Sequence, residues 1–164
     1  MFPDEGHRVR MMKILELKVP PLVQVLLTGF AMWSISRVAP QFSCAVAGSW
    51  IVALSLACLG LAIGLAGALA FRSARTTVDP RFPDKASAIV TVGVYRWTRN
   101  PMYLGLLCVL FGWAVFLGNL LSLACLPAFV LYMNRFQIGP EEWAMDSNFG
   151  DAYRAYKNSV RRWI

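Results

Sequence analysis

Four apolar blocks, each close to membrane-spanning length, leave this chain few folds to choose from. They run from about Pro21 to Ala39, Ser43 to Phe71, Pro101 to Leu117 and Leu120 to Ile138. As helices, the last two would be roughly 25 to 29 Å long, enough for a hydrocarbon core of about 30 Å with local adjustment. The chain is 57% hydrophobic and only 15% charged, where a soluble domain carries about 25% charged residues. At 164 residues it has too little interior to hide that much apolar surface from water. The fold expected is an all-α integral membrane protein with about four transmembrane helices.

The polar residues between the blocks divide the chain into three parts: an N-terminal segment (1–20), a first pair of spans (21–71), and a unit of loop, hairpin and tail (72–164). The mixed-charge N-terminal segment lacks the compact apolar core and small-residue cleavage site of a signal peptide. Gly60 and Gly64 form a GxxxG pair, with Gly67 beyond. Small residues at that spacing let membrane helices approach closely. Gly118-Asn119, between the third and fourth blocks, reads as a tight turn. A hairpin so closed brings the ends of its two helices together at one membrane face.

Charge sets the expected orientation. With four spans, fifteen of the sixteen Lys and Arg residues fall on the side shared by both ends and the second loop. The positive-inside rule puts that side in the cytoplasm. The net charge of +7 is then explained by cytoplasmic loops and anionic headgroups, and nucleic-acid binding is not expected. Cys44, Cys58, Cys108 and Cys125 lie in apolar segments without CxxC spacing, as packing residues do. His7 is the single histidine, which argues against a zinc centre.

Two polar clusters flank the hairpin. Arg99-Asn100-Pro101 opens the third block, with Asn100 as an N-cap and Pro101 at the first helical position. Such a helix start favours a bound carboxylate or phosphate, and Arg99 would add a charge-assisted contact. Pro140-Glu141-Glu142 follows the fourth block, supplying carboxylates for ribose hydroxyls or an ammonium group. An anion site beside a cation site suits a zwitterion. Each cluster also has a plain structural reading, as a topology anchor or a helix start. In the tail, Phe149-Gly150 marks a break, while Phe149, Tyr153, Tyr156, Val160 and Trp163 recur on one helical face. With Arg154, Lys157, Arg161 and Arg162 among the other positions, this predicts an amphipathic interfacial helix.

GVYRWTRNPMYLG (93–105), together with EEWAMDSNFGDAYRAYKNSVRRW (141–163), resembles the integral membrane methyltransferases. This superfamily comprises the isoprenylcysteine carboxyl methyltransferases and the phospholipid methyltransferases. The similarity spans roughly residues 72–164. It implies S-adenosylmethionine bound at the cytosolic ends of the last spans, and a lipophilic or small nucleophilic acceptor reaching it from the lipid. On the motif match, Tyr95, Arg99, Asn100, Pro101, Tyr103 and Gly105 fall in the first cofactor segment and Glu141 and Glu142 in the paired-glutamate segment. Tyr153, Tyr156 and Arg161 fall in the C-terminal cap. Arg99 and Glu142 are the candidate catalytic residues, and Tyr103 is placed to face a sulfonium by a cation–π contact or to sit in the interfacial belt. Where the family pattern has histidine this chain has Asn100, which can hydrogen-bond but not titrate near neutral pH. Its expected role is binding.

Thr76, Thr77, Asp79, Arg81 and Asp84 are further ligand-contact candidates or simply a solvated loop. Trp97 and Trp113 suit either an apolar access route or interfacial packing. The competing functions are an NADPH-dependent membrane reductase, as in the sterol reductases with similar C-terminal regions, and a non-enzymatic membrane scaffold.

Overall fold

The computed structural model describes residues 19–44, 47–74 and 88–164. Within them the chain is helical: α1 (Pro21–Val38), α2 (Ser49–Ser73), α3 (Pro101–Leu117), α4 (Leu120–Phe149) and α5 (Asp151–Ser159), with short 3-10 turns at Pro40–Phe42 and Gly93–Arg96. Three of these, α1, α2 and α4, are long and apolar enough to cross a membrane, and α3 is a shorter apolar helix of 17 residues. Within the second apolar block α2 begins at Ser49. Ser43 instead forms an isolated bridge to Asn119, and Gly48 takes a left-handed φ of 77° before α2 begins.

Glycine sets how closely α2 and α3 pack. A Cβ on Gly60 would lie 2.4 Å from the Gly105 carbonyl oxygen, and one on Gly105 would lie 2.4 Å from that of Gly60. Gly112 faces the Ala53 carbonyl in the same way, at 2.7 Å, and Gly67 faces the Pro101 ring at 3.0 Å. A Cβ on Gly64, the second half of the GxxxG pair, would meet nothing within 4 Å, although the Gly64 backbone N lies 3.0 Å from where a Gly105 Cβ would stand. The small-residue face therefore serves a contact within the chain.

The far end of the bundle is closed by Gly118 and Asn119. Gly118 ends α3 with φ 58°, and its carbonyl accepts from the Cys44 N–H at 2.6 Å. Buried Asn119 donates to the Ala39 carbonyl (2.9 Å) and Ser43 Oγ (3.1 Å), while its Oδ1 accepts from the Ser122 N–H (3.2 Å). Satisfying a buried carbonyl in this way avoids a penalty of about 1–3 kcal/mol. Helix α1 is fastened to the hairpin by Trp113 Nε1 donating to the Gly29 carbonyl (3.0 Å) and Ser122 Oγ donating to that of Met32 (2.8 Å). Trp113 is thus a tie between helices. Met32, Tyr103, Leu110, Ala114, Phe129, Met133 and Ile138 form the shared core.

Helix α4 is continuous but not uniform. It starts as a 3-10 turn (Leu120–Ala124), becomes α-helical (Cys125–Met133), passes through a π-turn (Asn134–Ile138) and resumes as α-helix (Gly139–Phe149). Within the π-turn the Gly139 N–H bonds to the Asn134 carbonyl, five residues back. Such insertions re-aim every side chain that follows and occur often at functional sites. Gln137 is turned inward and donates to the Val19 carbonyl at 2.7 Å, tying the start of α1 to this end of α4.

Candidate functional site

The hairpin brings the two polar clusters into direct contact. Arg99 precedes α3, and its Nη2 lies 3.1 Å from Oε1 of Glu142 in the re-aimed part of α4. Both side chains are largely shielded, with 11% and 13% of their surface exposed. Arg162, from the segment after α5, reaches the same carboxylate with Nε on Oε1 (3.1 Å) and Nη2 on Oε2. Two guanidinium groups therefore share one carboxylate, and the cluster keeps an excess positive charge. A second, separate contact joins Tyr103 to Glu141, whose Oε1 accepts from the phenol. The two adjacent glutamates thus serve different partners.

Local structure explains each placement. Pro101 starts α3, and the first intrahelical bond runs from the Leu104 N–H to the Asn100 carbonyl at 2.9 Å. The N–H groups of Met102 and Tyr103 precede it, where a helix start provides no intrahelical acceptor. The Asn100 side chain does not cap the helix as expected. Its amide nitrogen donates to the Arg162 carbonyl (2.9 Å), and Asn100 N–H is taken by Thr98 Oγ1 (3.1 Å). Pro101 and Gly105 are buried against α2, so they set the helix contact and present no surface to a ligand. Tyr103 is 5% exposed and belongs to the core, not to an interfacial belt.

The tail differs from the single amphipathic helix expected. Gly150 (φ 52°) breaks it from α4 where Phe149-Gly150 predicted, but α5 stops at Ser159 and Val160 is extended. Val160 and Trp163 therefore do not continue the face of Tyr153 and Tyr156. The chain turns back instead: the Arg161 carbonyl accepts from the Arg99 N–H (3.0 Å), and Trp163 Nε1 donates to Asn134 Oδ1 (3.0 Å). Arg161 has an exposed side chain, and it is the neighbouring Arg162 that enters the cluster. Arg161 faces outward and Arg162 is half-buried, so the neighbouring guanidinium makes the contact.

Tyr95, Tyr153 and Tyr156 are buried around the cluster. Tyr156 donates to the Tyr95 carbonyl at 2.7 Å, and the Tyr95 ring meets Phe71 of α2 edge-on at 5.3 Å. Burial raises all three phenols above the usual tyrosine range, that of Tyr156 to about 12 with Arg99 opposing the rise. They remain neutral donors. Lys157 pairs with Asp146 and lies 5.4 Å from the Tyr153 ring centroid.

Thr76, Thr77, Asp79, Arg81 and Asp84 lie outside the described residues, as do His7 and the rest of 1–18. Trp97 is 79% exposed and Trp143, beside Glu142, 74% exposed. Thr98 and Arg162 were not singled out by their sequence positions. Only the carbonyl-directed geometry of the returning tail reveals them.

The family model for phospholipid methyltransferases matches residues 49–152. The chain belongs to this family. Protein-S-isoprenylcysteine O-methyltransferase from Xenopus laevis is 32% identical over 115 residues, 64% of this chain and 39% of that protein. The protein of the same name from Schizosaccharomyces pombe is 31% identical over 77 residues, 47% of this chain and 33% of that one. An uncharacterized protein from Haemophilus influenzae is 49% identical over 63 residues, 38% of this chain and its own entire length. The chain thus spans well under half the length of the two named methyltransferases. No solved structure matches it. Family membership, with three helices able to cross a bilayer, makes this a membrane protein.

Proposed function

We propose that this protein transfers a methyl group from S-adenosylmethionine to a carboxylate, thiol or amine of a lipophilic or small membrane-accessible acceptor, at the cytoplasmic face. The observation that carries the reading is the shielded Arg99–Glu142–Arg162 cluster, set at the start of α3 beside the Tyr103–Glu141 pair. Arg99 Nε is buried and meets no acceptor among the described residues, a donor that a cofactor carboxylate would satisfy. The donor set therefore fits the cofactor.

S-adenosylmethionine supplies an electrophilic methyl on a sulfonium. Arg99 and the N–H groups of Met102 and Tyr103 at the helix start would hold an anionic group by charge-assisted hydrogen bonds. Glu142 braces Arg99 and would offer its carboxylate to a ribose or ammonium group, with Glu141 as a second carboxylate. Tyr95, Tyr153 and Tyr156 enclose the site with neutral phenols and keep water out. An anionic acceptor needs no base, so positioning and exclusion of water carry the rate. Between α3 and α4 an apolar groove of about 260 Å³, lined by Leu107, Cys108, Phe111, Leu126, Pro127 and Val130, offers the surface a hydrocarbon chain needs.

The cytoplasmic assignment rests on the positive-inside rule, with α3 as a fourth, short span and α5 at the interface. Titration calorimetry of the detergent-solubilised protein tests the cofactor directly. Saturable binding of S-adenosylmethionine and none of NADPH is expected. Binding of NADPH alone would turn the reading to a reductase, and binding of neither by a folded sample to a scaffold.

A further inference from the structure

The segment after α5 touches both halves of the cluster within three residues. Its Arg161 carbonyl takes the Arg99 N–H at 3.0 Å. The Arg162 carbonyl takes two donors, Asn100 Nδ2 at 2.9 Å and Thr98 Oγ1 at 3.2 Å. The Arg162 guanidinium crosses to Glu142, and Trp163 Nε1 fastens to Asn134 in the π-turn of α4. A strap therefore joins the start of α3 to the far arm of the hairpin. Arg162 and Trp163 lie beyond the residues that the family model matches.

We infer that Thr98 and Asn100 are positioning residues that fasten this strap, so that Arg162 holds the Glu142 carboxylate in place for the cofactor. Thr98 is 3% exposed, and its hydroxyl is used twice, donating to the strap and accepting from the Asn100 N–H at 3.1 Å. This leaves the Asn100 amide free to aim at the same carbonyl. Arg162 grips Glu142 through both carboxylate oxygens, which fixes the plane of the carboxylate as a single lysine contact would not. Arg99 touches one oxygen. Without the strap, Glu142 would keep only that contact, and its other oxygen would turn freely. The role of Asn100 is thus exerted through Arg162, using the one chemical property that asparagine supplies here, a neutral N–H donor.

The inference rests on the methyltransferase reading, and its test separates the two. Full-length protein in detergent is compared as wild type, Thr98→Val/Asn100→Ala, Asn100→His and Arg162→Lys. Hydrogen–deuterium exchange of peptides covering 160–164 reads the strap, and calorimetry with S-adenosylmethionine reads the site. The double variant should lose strap protection and bind about tenfold more weakly, both hydrogen bonds to the strap carbonyl and the Asn100 N–H to Thr98 bond having been removed. Asn100→His, which keeps a ring N–H donor, should retain both protection and affinity to within about threefold. Arg162→Lys keeps both carbonyl contacts and loses the bidentate grip, so it should stay protected yet bind more weakly. This variant also decides the matter if the double variant does not fold. Wild-type affinity in Arg162→Lys, or in a double variant with a loosened strap, overturns the inference alone. Wild-type protein that binds no S-adenosylmethionine overturns the methyltransferase reading and the inference together.

Discussion

At the scale of single residues, the adjacent glutamates divide their work, and substitution should separate them. Tyr103→Phe deletes the donor to Glu141 without changing the ring that packs in the core. Leaving a buried carboxylate short of its partner costs about 2 kcal/mol, so a lower thermal midpoint is expected from a melt in detergent. Cofactor affinity should change much less. Glu142→Gln is the opposite case. It removes the charge that two guanidinium groups share, and binding of S-adenosylmethionine should weaken by at least about tenfold, since charged hydrogen bonds are worth roughly 1.5–3 kcal/mol each. Unaltered titration calorimetry in Glu142→Gln would remove Glu142 from the site. Sequence made Arg99, Glu141 and Glu142 visible because charges at the ends of apolar segments are conspicuous. Asn100 stood out as a helix-start residue but its partner did not: it shares with Thr98 a backbone carbonyl about 60 residues away, which no side-chain pattern encodes.

At the scale of helices, the close fit of α2 to α3 makes an asymmetric prediction about the GxxxG pair. Gly60→Ala would drive a methyl to 2.4 Å from a backbone oxygen, whereas Gly64→Ala would place it in open space. Overpacking of this kind costs about 1–3 kcal/mol. Thermal unfolding should show Gly60→Ala clearly destabilised and Gly64→Ala close to wild type; equal midpoints would contradict the packing described. The spacing of small residues was legible, but which glycine has no room for a side chain depends on the rotation of α2, and that is set by its neighbour. The hairpin turn and the Phe149-Gly150 break were legible for a simpler reason, since positive φ at Gly118 and Gly150 needs glycine. The π-turn left no signal. Asn134–Ile138 reads as ordinary helix, and its extra residue is stabilised by tertiary contacts of Gln137 and Asn134. The tail misled because its aromatic spacing continues past Ser159 while its backbone does not.

At the scale of the molecule, the helices deliver Arg99, Tyr103, Glu141, Glu142 and Arg162 to one end and Cys44, Gly118 and Asn119 to the other. The proposed orientation assigns these ends to opposite sides of the membrane. In sealed vesicles of known sidedness, an impermeant thiol reagent should label exposed Cys44 from the side facing away from the cytoplasm. A cysteine introduced at exposed Ser147 should be labelled only from the cytoplasmic side. Labelling of both from one side would contradict the topology. The central claim, that the cluster at this end works on S-adenosylmethionine, is tested most directly by methyl transfer itself. Purified protein is incubated with methyl-labelled S-adenosylmethionine and total membrane extract, and the lipid, protein and small-molecule fractions are counted. Label entering one of them with the wild type, and falling by about tenfold or more with Glu142→Gln, in line with the loss of its charged hydrogen bonds, is the expected result. No label in any fraction from a folded protein, or equal label with both proteins, would contradict it.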